Sequence, residues 1–319
     1  MKFSVTGRLQ PCLAVLALLA GCGAPSSMPN GPRATAQTPT MQPPATAAAG
    51  LYVSVAGSGA AILGYNRKYK QICRIESGYA GGISADRAGN LLAASGASNT
   101  VTVYRGPQLC GPEYGSFSDP YGQPASISSR DALHGTIAVG NIFDKTGAPG
   151  SVSVCTVAGG CTANLTNSNM YEVGGVALAR DGDCWADATN SLGTASLTYF
   201  RRCAGAGKSA TGFVNHYYGG IQIDRRGNLV TIDAFSGTIY VYKGCDPRCS
   251  LVGGPFALQG ASVYGTLNVN STMFAAADVD TSEVDVYRYS PTGITYRFSL
   301  QPGSGASELL DGVAYSPGG

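Results

Sequence analysis

The chain has 319 residues, of which 13% are charged and 45 are glycine. Its formal net charge of +2 comes from Lys2 and Arg8 at the extreme N-terminus; without them 19 basic residues face 19 acidic ones. A chain so balanced carries no basic stripe to neutralise phosphates, which argues against nucleic-acid binding.

Lys2 and Arg8 precede an apolar run, Leu13–Ala20, that is too short to span a bilayer as a mature helix. The run ends in Leu19-Ala20-Gly21-Cys22, which resembles the bacterial lipobox; the alternative is an ordinary cleaved signal with a chance cysteine. The resemblance implies a diacylglyceryl thioether on Cys22, export from the cytoplasm and anchoring by that lipid. Gly23 stands where lipoproteins retained at the inner membrane carry Asp, which favours the outer membrane or the cell surface. Residues 1–22 are thus read as a lipoprotein signal peptide. Residues 23–50, rich in Pro, Ser, Thr, Ala and Gln without an apolar period, cannot bury enough surface to offset their ordering entropy and are read as a disordered tether.

Residues 51–319 repeat themselves. Stretches 83–104 (ISADRAGNLLAASGASNTVTVY), 176–200 (VALARDGDCWADATNSLGTASLTYF) and 221–242 (IQIDRRGNLVTIDAFSGTIYVY) each read as an apolar strand, an Asp/Arg/Gly turn, a second strand, a small-residue turn and a third strand ending in an aromatic. Two small residues followed by Ile or Val open each copy: Gly81-Gly82-Ile83, Ala125-Ser126-Ile127, Gly174-Gly175-Val176, Gly219-Gly220-Ile221 and Ala261-Ser262-Val263. Asp311-Gly312-Val313 departs from the pattern at its Asp. The spacings of 44, 49, 45, 42 and 50 residues fit four strands each, the size of a propeller blade, and bulky side chains at these entries would collide near the axis. Leu51–Val55 aligns with second strands and Val313–Tyr315 with a first strand, so the C-terminus is expected to supply the inner strand of the N-terminal blade. The fold class is therefore an all-β, six-bladed propeller of four-stranded blades, monomeric, with its ring stitched shut so that no edge is left open. A seven-bladed WD-repeat ring is the runner-up, but no Gly-His…Trp-Asp signature occurs and Trp185 is the only tryptophan.

The phrase Gly-Gly-Ile-x-x-Asp-x-x-Gly-Asn-Leu at 81–91 and 219–229 resembles the NHL-repeat and gluconolactonase-like six-bladed propellers. The likeness spans residues 51–319 and fades in blades three and six. It implies architecture, since the shared Asp and Gly shape a turn.

Ten cysteines are present; Cys12 leaves with the leader and Cys22 takes the lipid, leaving eight, an even number in an exported chain. Cys155 with Cys161, and Cys245 with Cys249, flank equivalent hairpin turns. Cys184 opens a second strand and Cys203 closes the third strand of the same repeat. Cys73 and Cys110 remain as a pair by default. A metal site on these residues is the alternative, but the spacings are not those of zinc ribbons.

Lactonases of this architecture hold a divalent metal in the central channel with carboxylate and Asn ligands, and a calcium ion is the cofactor this resemblance would imply. Glu172, Asn215, Glu308 and Asp311 lie near blade entries, with Glu308 and Asp311 the favoured pair; the other reading is that these side chains simply face solvent. Asp86 and Asp224 recur in the turn position and read as turn caps. His134 and His216, the only histidines, accompany no Gly-x-Ser-x-Gly elbow and no HExxH. Tyr79, Tyr121, Tyr171, Tyr217 and Tyr218 all precede inner strands and so share one face, where they would bind a protein or glycan or brace adjacent blades. The sequence thus leads to a surface-tethered, non-enzymatic binding propeller. The alternative is a metal-dependent lactonase-type hydrolase, and a third possibility is an envelope protein with no discrete ligand.

Overall fold

A computed structural model describes residues 50–56, 60–77, 81–106, 108–259, 264–270, 272–302 and 309–316. The expectations for residues 1–49, including Cys22 and the tether, and for Tyr79 and Glu308 lie outside these residues.

The described residues form six four-stranded antiparallel sheets. Blade one contains β1 (Leu51–Ala56), β2 (Ala61–Tyr65) and β3 (Gln71–Glu76). Blade two contains β4 (Ile83–Ala85), β5 (Leu91–Ser95), β6 (Thr100–Tyr104) and β7 (Glu113–Ser118). Blade three runs through β8 (Gly122–Ser129), β9 (Ile137–Asp144), β10 (Ser151–Thr156) and β11 (Gly160–Leu165). Blade four holds β12 (Glu172–Leu178), β13 (Cys184–Thr189), β14 (Ala195–Phe200) and the short β15 (Lys208–Ser209). Blade five holds β16 (Ile221–Ile223), β17 (Leu229–Asp233), β18 (Thr238–Lys243) and β19 (Ser250–Ala257). Blade six holds β20 (Tyr264–Val269), β21 (Met273–Asp278), β22 (Glu283–Ser290) and β23 (Gly293–Leu300), after which β24 (Leu309–Tyr315) pairs with β1. Leu51 faces Tyr315 and Val53 faces Val313, so the two ends of the chain share one sheet, and Ser316 N donates to Gly50 O. Among the described residues no helix is long and apolar enough to cross a membrane.

The core is divided into six clusters, each drawn from two neighbouring blades. Leu92, Val101 and Val103 of blade two meet Ile127, Ile137 and Val139 of blade three, and Leu51, Val53 and Val313 of blade one meet Ala275, Val284 and Val286 of blade six. Burial thus joins blade to blade around the ring.

The repeated turn owes its sequence to hydrogen bonding. Asp86 Oδ1 accepts from Ala88 N (2.9 Å) and Asn90 N (2.8 Å), and its Oδ2 from Asn90 Nδ2 (2.7 Å) and from Ala132 N of the next blade (2.8 Å). Asp224 repeats the pattern with Arg226 N, Asn228 N and Asn228 Nδ2, and takes its fourth bond from Tyr289 of blade six. Gly89 and Gly227 sit at φ 87° and 83°, in the left-handed region that favours glycine. The motif therefore closes a turn and ties it to a neighbouring blade.

The paired small residues also have a physical reason. The first of each pair is the extra residue of a β-bulge at Ala125, Gly174 and Asp311, where β8, β12 and β24 slip register against their partners. The second approaches the next blade: a Cβ on Gly82 would lie 2.8 Å from Ser126 Cα. Blade six corrects the anchor read from sequence. Leu267, opposite Ala276, is the equivalent of Ile221 opposite Thr231, so the repeat starts four residues after Val263 and both adjoining spacings become 46. Ala261-Ser262-Val263 mimics the motif ahead of the strand.

All four cysteine pairs are disulfides: Cys155–Cys161, Cys245–Cys249, Cys184–Cys203 and Cys73–Cys110. The first two clip hairpins within a blade. Cys184–Cys203 holds the 3-10 turn Arg201–Cys203 in blade four, whose outer strand is only two residues long. Cys73 on β3 reaches Cys110 in the turn after β6, which bonds blade one to blade two. The four disulfides point to an oxidising, extracytoplasmic setting.

Candidate functional site

Loops entering inner strands and turns between second and third strands lie on one face of a propeller, here called the entry face. Over blades four and five this face carries the turns 190–194 and 234–237 and the segment 215–220, which rises to it from Thr211 and Gly212, packed against the Cys245–Cys249 turn on the opposite face. Two buried carboxylates hold it in place. Asp233 Oδ2 accepts from His216 N (2.8 Å) and lies 3.0 Å from His216 Nδ1, while its Oδ1 accepts from Phe235 N and Ser236 N. Asp187 Oδ2 accepts from Gly219 N (3.2 Å). Both acids are at 0% exposure, whereas the His216 side chain is largely exposed. A carboxylate on Nδ1 fixes the ring orientation and leaves Nε2 on the outer edge.

The Asp187 carboxyl is held well above its usual range, first by burial and then by the Asp233 charge, with the Gly219 amide opposing. Its Oδ1 is buried without a hydrogen-bond partner among the described residues, so an ionised carboxylate would lack a donor there to offset its desolvation.

Tyr217 and Tyr218 stack with centroids 4.6 Å apart. The Tyr218 hydroxyl lies by the Glu172 carboxylate, and burial, first among the causes, raises both groups' pKa values. Gly174 makes this placement feasible, because a Cβ at the bulge would overlap the Tyr218 ring. On the loops of this face Leu192 (86%), Phe235 (70%) and Tyr171 (41%) are exposed, and Val214 (50%) is exposed on the segment that rises to it. Backbone bonds from Tyr171 N to Thr189 O and from Val214 N to Tyr242 Oη fix the loops that bear them.

The sequence-predicted residues scatter accordingly. Tyr171, Tyr217, Tyr218 and Glu172 meet over blades four and five, while Tyr121 is half-buried at the entry to blade three, where Asp119 accepts its backbone N–H. Asn215 is buried beneath the same segment and bonds Ile232 O and Thr231. Asp311, half-buried, is the bulged residue of β24. His134 is exposed and bonds back to Asp131. Asp187, Asp233, Leu192, Val214 and Phe235 went unnoticed in the sequence. A signal existed in Asp187, since it occupies the position of the apolar Ile232 in blade five. Asp119 lies with Cys155 and Cys161 within metal-ligand distance, but both sulfurs are spent in a disulfide and the carboxylate bonds Ser153, Asn141 and Tyr121.

No protein-family model matches the chain, and comparison with curated proteins finds no match. Solved structures do resemble it. A chain of a nidogen/laminin complex superposes with a TM-score of 0.66 at 13% identity, covering 84% of this chain and 98% of that one. A catalytically inactive virginiamycin B lyase from Staphylococcus aureus with quinupristin gives 0.53 at 12% identity, covering 79% and 85%. A functionally unknown protein from Desulfotomaculum acetoxidans gives 0.52 at 14%, covering 79% and 80%. At these identities the likeness is one of fold, and with the six sheets and their shared closing strand it makes this chain a six-bladed β-propeller.

Proposed function

We propose that the protein is a tethered binding module that docks a protein partner on its entry face over blades four and five. One observation carries the reading: Leu192, Phe235 and Tyr171, from three separate loops, stand exposed on the face that bears the Tyr217–Tyr218 stack. Aliphatic Leu192 offers nothing to sugar hydroxyls, but with aromatics on the same face it suits the apolar centre of a protein interface. The carboxylates beneath fix the loops before binding, which lowers the ordering cost. One neighbouring structure is a complex with a protein partner, in keeping with this use of the fold. In this reading the Cys22 lipid anchors the chain to the outer membrane or cell surface, and the 23–50 tether gives the propeller a reach of roughly 30 Å. The test is co-isolation from the envelope followed by direct titration of the recovered protein. Leu192→Ser with Phe235→Ser should leave the melting temperature unchanged and weaken binding about tenfold or more. Unchanged affinity would refute the reading.

A second reading has one observation in its favour. His216, oriented by buried Asp233 with Nε2 outward, has the geometry of a general base, and one neighbouring structure is a virginiamycin B lyase with quinupristin. The lactonase-type variant of this reading, with calcium on Glu308 and Asp311, has one described carboxylate, at the β24 bulge. Chelator-sensitive hydrolysis of a lactone, lost in Asp311→Ala, would favour it over the binding reading.

A further inference from the structure

The face opposite the tyrosines carries a cavity of about 410 Å³ at the mouth of the central channel, lined by the ends of inner strands from all six blades. Arg87, Arg130 and Arg225 line it, and Arg87, Arg130, Arg180 and Arg225 all line an adjoining cavity of about 370 Å³. These four residues occupy the first-to-second-strand turn of blades two to five, at the same repeat position in three of them and one residue earlier in blade three. The repeat therefore converts four well-separated arginines into an arc around one opening. Asn268, Asn270 and Tyr315 complete the rim on the side of blades six and one.

We propose that this mouth is an oxyanion site, taking a small ligand with two or more phosphate or sulfate charges. Among the described residues none of the four arginines forms an ion pair. The acids that share the first cavity, Asp86 and Asp224, each accept four hydrogen bonds from turn and neighbouring-blade groups, so their oxygens are committed to the fold. Asp183 in the second cavity likewise accepts from Tyr199 and from Arg202 N, which leaves Asp181 and Asp246 as the local counter-charges. Arg130 feels the excess: burial first, then Arg87 and Arg180, lower its pKa, with Asp181 opposing. An arc of guanidiniums, planar and always charged, suits bidentate contact to phosphate or sulfate oxygens, and several around one opening favour a multivalent ligand over a single charge.

The mouth is held rigidly by bonds between adjacent inner strands. Ser128 Oγ accepts from Leu178 N (3.0 Å), Gln222 from Val269 N, and Asn268 from Tyr315 N (3.0 Å). A site fixed in this way loses little freedom when it closes on a ligand.

Calorimetric titration of the intact disulfide-bonded protein with inorganic pyrophosphate tests the proposal, with sulfate, phosphate and citrate as comparison arms and sodium chloride at matched ionic strength as control. Pyrophosphate should bind more tightly than phosphate or sulfate and in excess of chloride. Binding should weaken with added salt and fall about tenfold or more in Arg87→Gln/Arg130→Gln. Phe235→Ser on the entry face should bind pyrophosphate as the parent does, which separates this site from the docking surface. Citrate equal to pyrophosphate would show a carboxylate ligand and overturn the phosphate or sulfate assignment. Heats equal to chloride, or unaltered binding in the arginine variant with an unchanged melting temperature, would overturn the site altogether.

Discussion

His216 Nδ1 lies 3.0 Å from Asp233 Oδ2, and the same carboxylate accepts the His216 backbone N–H at 2.8 Å. One buried acid therefore sets both the path of the loop and the orientation of its exposed ring. The two roles separate under mutation. Asp233→Ala leaves the half-buried N–H groups of His216, Phe235 and Ser236 without their acceptor and should destabilise the fold by about 2–4 kcal/mol. His216→Ala removes an exposed ring and should leave thermal stability within about 0.5 kcal/mol of the parent. Denaturant titrations of both variants check this; equal losses would mean that the ring itself supports the fold.

Asp187 predicts a pH dependence. Its folded-state pKa stands above the ordinary 3.8, so the folded protein keeps a proton that the unfolded chain releases. The stability tied to the neutral acid is fully present below the unfolded value and declines as pH rises toward the folded one. Asp187→Asn is neutral at every pH and should lose this decline. Melting curves of both proteins from pH 3 to 8 should show the variant gaining on the parent as pH rises; parallel curves would mean that Asp187 is ionised in the fold.

Asp86 and Asp224 hold equivalent turns in different blades, each with four hydrogen bonds. Alanine at either should cost about 2–4 kcal/mol, and the double substitution should cost the sum, since the two share no partner. A double variant no less stable than either single one would show that the turns are coupled.

The disulfides should rank by the loops they close. Cys73–Cys110 spans 37 residues and joins two blades, whereas Cys155–Cys161 spans 6 within one hairpin. Chain-entropy arguments give about 4 kcal/mol for the first and about 2 kcal/mol for the second. Paired Cys→Ser variants, compared by denaturant midpoint, check the order; a hairpin clip that matters more than the inter-blade bond would contradict it.

Much of the fold was legible because propeller blades repeat their turn chemistry. Asp86-x-x-Gly89-Asn90 and its copy at 224–228 announced the turn, and Val313–Tyr315 matched against Leu51–Val55 announced the closure. Blade six misled because Ala261-Ser262-Val263 mimics the motif four residues early, and only strand register reveals Leu267 as the true equivalent. The entry-face site was half legible. Tyr171, Tyr217 and Tyr218 precede inner strands and could be placed on one face. Leu192 and Phe235 sit in second-to-third-strand turns, where one apolar residue among polar neighbours signals nothing until the blades stand side by side. The arginine arc was hidden for the same reason: its members lie dozens of residues apart in a chain of balanced charge, and only the ring gathers them.

The docking face is tested most directly by photo-crosslinking in the intact envelope, with a photoreactive side chain placed singly at Leu192, Phe235 or, as control, Ala88 in the turn of blade two. Proteinaceous adducts should form at Leu192 and Phe235, not at Ala88, and should vanish when Tyr171→Asp puts a charge in the same face. Adducts of carbohydrate mass, adducts only at Ala88, or none at the two entry-face positions would contradict a protein-docking surface over blades four and five.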